Sequence, residues 1–166
     1  MVHSFMETIM SLSVLAWLCL AAYALHALEE FQMDWRDWAQ DILKLPVGWP
    51  DFYVTNAAVL VLGAVQAQVA LALPAVPLVF ASLMLINAVF FHVLPTIVTR
   101  VYSPGTATAV LLFLPLGVQV FRNATATGSA GLGTCLAALA GGALLMAFPV
   151  VMLKIRHHHD TAAANA

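Results

Sequence analysis

Five long apolar runs, almost free of charged residues, limit what this chain can fold into. They cover residues 8–29, 52–72, 76–99, 105–121 and 131–153. Each is long enough to cross the hydrocarbon core of a bilayer as a helix, which takes about 20 residues. The chain of 166 residues is 63% hydrophobic and only 8% charged, whereas about a quarter of the residues of a soluble domain are charged. The sequence therefore predicts an integral membrane protein.

The spans are predicted to be helices of one bundle. Only helices and closed barrels satisfy their backbone hydrogen bonds in lipid, and the runs lack the period-two alternation of barrel strands. Stretches typical of turns, LPAVP, YSPGT and RNATATGSAG, separate the later spans. We expect an all-α fold with five transmembrane helices, a single domain over residues 1–156 and a disordered tail over residues 157–166.

The longest connection, residues 31–50, is predicted to lie at the membrane surface. It mixes acidic and basic residues with Trp35, Trp38 and Trp49. Tryptophan prefers the headgroup level, where its ring is half buried and its N–H stays hydrated. A short amphipathic helix is therefore expected between the first and second spans.

Basic residues indicate how the chain is oriented. Loops on the cytoplasmic side of a membrane carry more lysine and arginine than loops on the other side. With the N-terminus outside, the outer segments hold only Arg122, and the inner segments hold Arg36, Lys44, Arg100, Lys154 and Arg156. We expect a protein of the cytoplasmic membrane with its N-terminus outside and its C-terminus in the cytoplasm.

The first span ends in HALEE, residues 26–30. Ionisable groups at the centre of a membrane helix cost about 2.5 to 3.5 kcal/mol each, so they are usually turned into the bundle and paired. On a helix, His26, Glu29 and Glu30 lie within an arc of about 100°, with Tyr23 on the same side. The adjacent glutamates point about 100° apart. Only one of them is expected to act directly, and the sequence leaves open which.

The third span supplies a second histidine at a matching depth. Asn87 and His92 point about 140° apart on an α-helix and are not expected to face the same neighbour, and His92 is the better ligand candidate. Thr96 near the end of this span and Asn56 near the start of the second lie toward the same leaflet as HALEE. We expect both histidines and both glutamates to converge within about 6 Å of one centre, with Tyr23 close by.

The stretches that carry this pattern resemble a known family. HALEE at the end of the first span, NAVFFH in the third and the YSPGT turn before the fourth are similar to features of the HXXEE family of small bacterial membrane proteins. The resemblance runs from about residue 12 to residue 153. It implies that the histidines and glutamates are important for the function of the protein. Because the family has no generally assigned activity, the resemblance does not name a reaction.

Two histidines and a carboxylate are the donors of a mononuclear site for iron, manganese or zinc. The first hypothesis is a membrane enzyme with one transition metal, acting on a lipophilic small molecule such as a lipid, a polyprenyl compound or a natural-product intermediate. The metal ligands would be His26, His92 and Glu29 or Glu30. The candidate catalytic residues are His26, Tyr23, Glu29 and Glu30, and the candidate substrate or supporting residues are Asn56, Asn87 and Thr96.

Two alternatives stay open at this point. A buried glutamate beside a histidine could move protons without a metal, in an isomerase or cyclase acting on a lipophilic substrate. The same groups could instead bind a cation in a small transporter or a structural membrane subunit. Transport is disfavoured because the outer halves of the spans offer no polar path and the sequence has no repeats.

Other features carry less information. The histidines at 157–159 and His3 are excluded from the predicted site because they lie on a tail or at the opposite end of a span. A net charge of -2 without a basic stripe argues against nucleic acid as a partner. Membrane lipid and a lipophilic small molecule are the expected partners, and the sequence does not indicate an oligomeric state.

Overall fold

A computed structural model describes residues 10–164, and side chains as far as residue 155. The described chain is helical apart from its turns and connections. Its helices are α1 (Leu12–Gln32), α2 (Trp35–Asp41), α3 (Trp49–Val69), α4 (Ala75–Thr99), α5 (Thr106–Ala126) and α6 (Leu132–Ala164). All except α2 are long and apolar enough to cross a membrane. The predicted all-α fold with five spans is confirmed, and His3 and the start of the predicted first span lie outside the described residues.

Short π-helical segments interrupt both α4 and α5. They cover Ala88–Val93 and Ala109–Phe113, and each lies just before a proline, Pro95 or Pro115. Proline has no N–H to donate one turn back, so it weakens the regular α-helical ladder at this point. A π segment adds a residue to the turn and changes the directions of the side chains that follow it. The segment in α4 contains His92, so this irregularity bears directly on the predicted site.

The spans pack around α4, which is the most buried of them, whereas α6 is the most exposed. α6 lies directly against the backbone of α4: a Cβ added at Gly142 would come within 2.5 Å of the Cβ of Ser82. Glycine at this position therefore permits the close helix approach that is common in membrane proteins. α1 packs against both α3 and α5, and α4 also contacts α5. The end of α1 thus lies between the end of α4 and the beginning of α5.

The connection between α1 and α3 folds back onto the bundle. Its helix α2 is the short helix expected from the tryptophans. Trp38, Ala39, Leu45 and Val47 form a small buried cluster, and residues of α6 pack against that cluster. The connection therefore closes one end of the bundle.

The last helix is longer than the predicted fifth span. Its backbone continues to Ala164 and so includes most of the segment that was predicted to be a disordered tail.

Candidate metal centre

Three ionisable side chains from two helices meet in the interior of the bundle. His26 and Glu30 lie one turn apart on α1, and His92 comes from the π segment of α4. The Nε2 atoms of both histidines are 3.5 Å from Oε1 of Glu30. Only 1% of His26, 5% of Glu30 and none of His92 is exposed. One ligand atom from each residue lies within 4.8 Å of the other two, which is close enough for one metal ion to reach all three.

A hydrogen-bonded chain orients the first imidazole. The Thr108 hydroxyl donates to Oε2 of Glu29 at 2.6 Å and lies 2.8 Å from Nδ1 of His26. Because its single proton is used on the carboxylate, the hydroxyl accepts from Nδ1–H of His26. The neutral ring then carries a lone pair on Nε2, the atom that faces Glu30. Such a partner on the far nitrogen is typical of histidines that bind metals.

A second chain orients the other imidazole in the same way. The Ser103 hydroxyl donates to the carbonyl oxygen of Phe91 at 3.1 Å and lies 3.1 Å from Nδ1 of His92. With its proton on this carbonyl, the hydroxyl accepts from Nδ1–H, and Nε2 of His92 then keeps its lone pair. The Phe91 carbonyl needs a donor because Pro95, four residues later, has no N–H. Pro95 thus leaves the Phe91 carbonyl free to accept from the Ser103 hydroxyl.

The turn between α4 and α5 closes against both rings. Gly105 has φ of +97°, which glycine adopts readily. A Cβ at this position would lie 2.7 Å from Cε1 of His26 and 2.8 Å from Cε1 of His92. Both the backbone conformation and the packing therefore require glycine here. The Thr96 side chain, a predicted substrate or supporting residue, accepts from the N–H of Ser103 at 3.0 Å and holds this turn in place.

The two glutamates of HALEE have different partners. Glu29 turns away from the cluster and accepts from the backbone N–H groups of Gly105, Ala107 and Thr108 at the start of α5. It also accepts from the Tyr102 hydroxyl at 2.8 Å. A carboxylate at a helix N-terminus satisfies free N–H groups and interacts favourably with the helix dipole. The structure therefore does not bring Glu29 into the cluster with Glu30, because α5 packs against that side of α1.

Asn87 and His92 have different partners: the amide of Asn87 lies 3.9 Å from the sulfur of Met146, whereas His92 contacts Ser103 and Glu30. Asn87 lines the same cavity as Glu30, and His92 approaches the carboxylate of Glu30. The 140° separation assumed a regular α-helix, but the π segment Ala88–Val93 lies between the two side chains. Its wider turn changes their relative direction.

A cavity of about 70 Å³ lies beside Glu30. Tyr23, Asn56 and Asn87 also line it. The rest of its wall is mainly apolar and comes from the α1–α3 connection and from α3, α4 and α6: Trp35, Leu45, Val47, Asp51, Phe52, Thr55, Phe91, Met146, Pro149, Val150 and Leu153. The polar cluster therefore borders a space suited to an apolar molecule.

The cluster has the electrostatics of a cation site. Neither Nε2 atom has a hydrogen-bond partner among the described residues, and both are buried. Two lone pairs and a carboxylate oxygen that face one another repel, and burial strengthens the repulsion. A metal ion or a shared proton between them would remove it. Two imidazole nitrogens and one carboxylate oxygen are a donor set that transition metals bind well.

Sequence reasoning missed the residues that orient the histidines. Thr108, Ser103 and Tyr102 lie in or just after the YSPGT turn, which was recognised as a turn and as a point of resemblance. The signal that could have found them is the run of hydroxyl residues next to a glycine, at the same depth as the histidines. Nothing in the periodicity of the spans shows which hydroxyl faces which ring.

Comparison with known proteins identifies one family. The sequence model of the family described as "Protein of unknown function with HXXEE motif" matches residues 17–120. This range contains all three cluster residues and the turn that orients them. No curated protein and no solved structure matches the chain.

Proposed function

Because the chain belongs to the HXXEE family, whose function is unknown, we propose from the geometry of its motif that it is a metal-dependent membrane enzyme. His26, His92 and Glu30 would hold a single transition metal ion. The substrate would be a lipophilic small molecule that reaches the site from the membrane.

The observation that carries this proposal is the convergence of three buried metal-binding side chains, His26, Glu30 and His92. Each ring has a hydroxyl partner at Nδ1, Thr108 for one and Ser103 for the other. Both rings therefore turn Nε2 toward the same carboxylate oxygen. Burying two imidazoles and a carboxylate this close together inside a membrane bundle is unfavourable unless a cation lies between them.

The distances support a first-row transition metal. A tetrahedral zinc ion with ligand bonds of about 2.0 to 2.1 Å separates neighbouring ligands by about 3.4 Å. The two separations of 3.5 Å between Nε2 and Oε1 are close to this value. Iron and manganese use the same two-histidine, one-carboxylate donor set. Three protein ligands leave room for substrate, and the metal would act there as a Lewis acid or a redox centre.

The surroundings support a lipophilic substrate. The cavity beside Glu30 is mainly apolar, and residues of four of the candidate membrane spans line it. Tyr23 lines this cavity, so its hydroxyl is a candidate to contact the substrate. By the positive-inside rule, we place this end of the bundle in the cytoplasmic leaflet of the cytoplasmic membrane.

Metal content of the purified protein tests the proposal. The protein is purified in detergent with residues 157–159 deleted, since consecutive histidines bind metals by themselves. After loading with zinc, iron or manganese and removal of loosely bound ions, we expect close to one metal ion per chain. His26→Ala, His92→Ala and Glu30→Gln should each remove it.

The adjacent glutamate provides a matched control. Glu29→Gln makes the same chemical change one residue away, outside the cluster, so it should still bind one metal ion at saturating concentration. If Glu29→Gln loses the metal and Glu30→Gln keeps it, the ligand assignment is wrong. A folded protein that binds none of these metals would refute the metal site. Lipid-directed activity lost in Glu30→Gln would then indicate proton transfer by the same groups.

A further inference from the structure

Three residues that line the cavity beside Glu30 carry hydrogen-bonding atoms without partners among the described residues. They are the indole Nε1 of Trp35 and the side-chain oxygens of Asn56 and Asn87, all buried and without a partner among the described residues. Asn56 donates its amide nitrogen to the carbonyl of Phe52 at 3.0 Å, so its oxygen remains as an acceptor. Asn87 is only 8% exposed, and its amide has one weak contact, 3.9 Å from the sulfur of Met146.

Unsatisfied polar atoms are costly in an apolar interior, about 1 to 3 kcal/mol each. Three around one cavity indicate that a bound molecule satisfies them. An indole N–H requires an acceptor, and the Asn56 oxygen requires a donor. A hydroxyl group is both donor and acceptor, and a primary or secondary amide also has both. The ligand therefore carries a small group of this kind within an otherwise apolar body.

The described charges around the cavity disfavour an anionic head. Among the described residues that line it, Glu30 and Asp51 are acidic and none is lysine or arginine. A carboxylate or phosphate anion has no proton to donate, so it would leave the side-chain oxygens of Asn56 and Asn87 unsatisfied. A neutral head incurs no such cost.

The cavity also adjoins a route from the bilayer. A groove between the start of α3 and the second half of α6 shares Asp51, Thr55, Pro149 and Leu153 with the cavity wall. The same groove is lined by Val54, whose side chain is exposed on the outer surface of the bundle, where lipid would contact it. A chain of methylene groups lying in this groove would bring its head to Asn56, Asn87 and Glu30.

We propose that the ligand of this site is an uncharged single-chain lipophile with a hydroxyl or amide head, and that it enters between α3 and α6. Its head occupies the space bounded by Trp35, Asn56 and Asn87. The inference rests on the proposed function in taking Glu30 as the reacting end of the cavity. It does not require a metal to be bound.

Photoaffinity labelling with matched probes tests this. The probes are a diazirine-bearing dodecanol, the corresponding dodecanoic acid and dodecyl phosphate, each added to full-length protein in phosphatidylcholine nanodiscs. Mass spectrometry locates the labelled peptides. We expect the alcohol to label residues 50–55 and 148–153, with competition by unlabelled dodecanol. The acid and the phosphate should label these segments at least about tenfold less.

Two variants and a control identify the head site. Asn56→Leu and Asn87→Leu keep the side-chain volume and remove the amide, so alcohol labelling should fall about fivefold. Gln68→Leu, an exposed change on the same helix as Asn56, should leave it unchanged. Near-ultraviolet circular dichroism shows that each variant is folded.

Equal labelling by the alcohol and the acid, or folded asparagine variants that label like wild type, would overturn the inference. Metal content is measured on the same samples. Selective alcohol labelling of a protein that binds no metal supports this inference and refutes the metal site. One bound metal ion without selective labelling supports the metal site and refutes this inference.

Discussion

Replacing Thr108 by valine tests the link between the two halves of HALEE. Valine keeps the β-branched shape and removes only the hydroxyl. His26 then loses its partner at 2.8 Å, and Glu29 loses its donor at 2.6 Å. The imidazole is no longer held in the tautomer that directs the lone pair of Nε2 at the metal. The three metal ligands themselves are unchanged.

The expected loss follows from these contacts. Removing the hydrogen-bond partner of a ligating histidine weakens metal binding about 10- to 100-fold, or about 1.4 to 2.8 kcal/mol. Glu29 keeps its three backbone donors and Tyr102, so the start of α5 stays capped. The buried Nδ1–H of His26 is left without a partner, which costs about 1 to 3 kcal/mol of folding stability.

Competition against a chromophoric chelator measures the metal affinity of the detergent-solubilised protein. Thr125→Val is the control, because the hydroxyl of Thr125 is exposed and bonds only to carbonyl groups of its own helix. It should bind metal like wild type. Wild-type affinity in Thr108→Val, or an equal loss in Thr125→Val, would refute the role assigned to this hydroxyl.

Three further predictions concern the turn and the topology. Gly105→Ala should abolish metal binding and cost more stability than Gly128→Ala, because both glycines have positive φ but only Gly105 touches the imidazoles; equal losses in thermal unfolding would contradict this. Burial and the hydrogen bond to Glu29 raise the pKa of Tyr102, so this group stabilises the fold below about pH 10 and the contribution is lost as the pH rises further. Tyr102→Phe should therefore lose less stability than wild type in an alkaline series of unfolding measurements, and an equal loss would contradict it. A reporter fused after Ala166 should be cytoplasmic, and activity on the outer face would reject the proposed orientation.

The spans and the two histidines could be predicted because they depend on local rules. Length and lack of charge define a membrane helix, and the cost of burying ionisable groups predicts that His26 and His92 turn inward. The different partners of Glu29 and Glu30 could not be predicted in this way. It depends on which helices flank α1 on each side, and α5 supplies the free N–H groups that bind Glu29.

The direction of His92 relative to Asn87 was harder to predict for a different reason. An angle of 100° per residue applies only while the helix is regular. Pro95 is visible in the sequence, but a proline can be accommodated by a kink, a π segment or a turn. The structure has a π segment over Ala88–Val93. A proline near a predicted ligand thus shows that a helix face calculated at 100° per residue can be wrong. It does not show in which direction the side chain turns instead.

The arrangement predicts how paired substitutions combine. Glu29 and Thr108 act on one ring through a single chain, whereas Ser103 acts on the other ring. Once Thr108→Val has broken the first chain, adding Glu29→Gln should weaken metal binding little further. Thr108→Val with Ser103→Ala should lose the sum of the two single losses, since the changes act on different histidines.

Chelator competition on the single and double variants gives both coupling energies from one set of measurements. Residues within one hydrogen-bonded network usually couple by about 0.5 to 3 kcal/mol, whereas independent sites add within about 0.5 kcal/mol. Additive losses for Glu29 with Thr108 would mean that Glu29 affects the metal only through general packing of α1 against α5. Strong coupling would mean that HALEE combines a ligand pair, His26 and Glu30, with a glutamate that orients one of those ligands through a neighbouring helix.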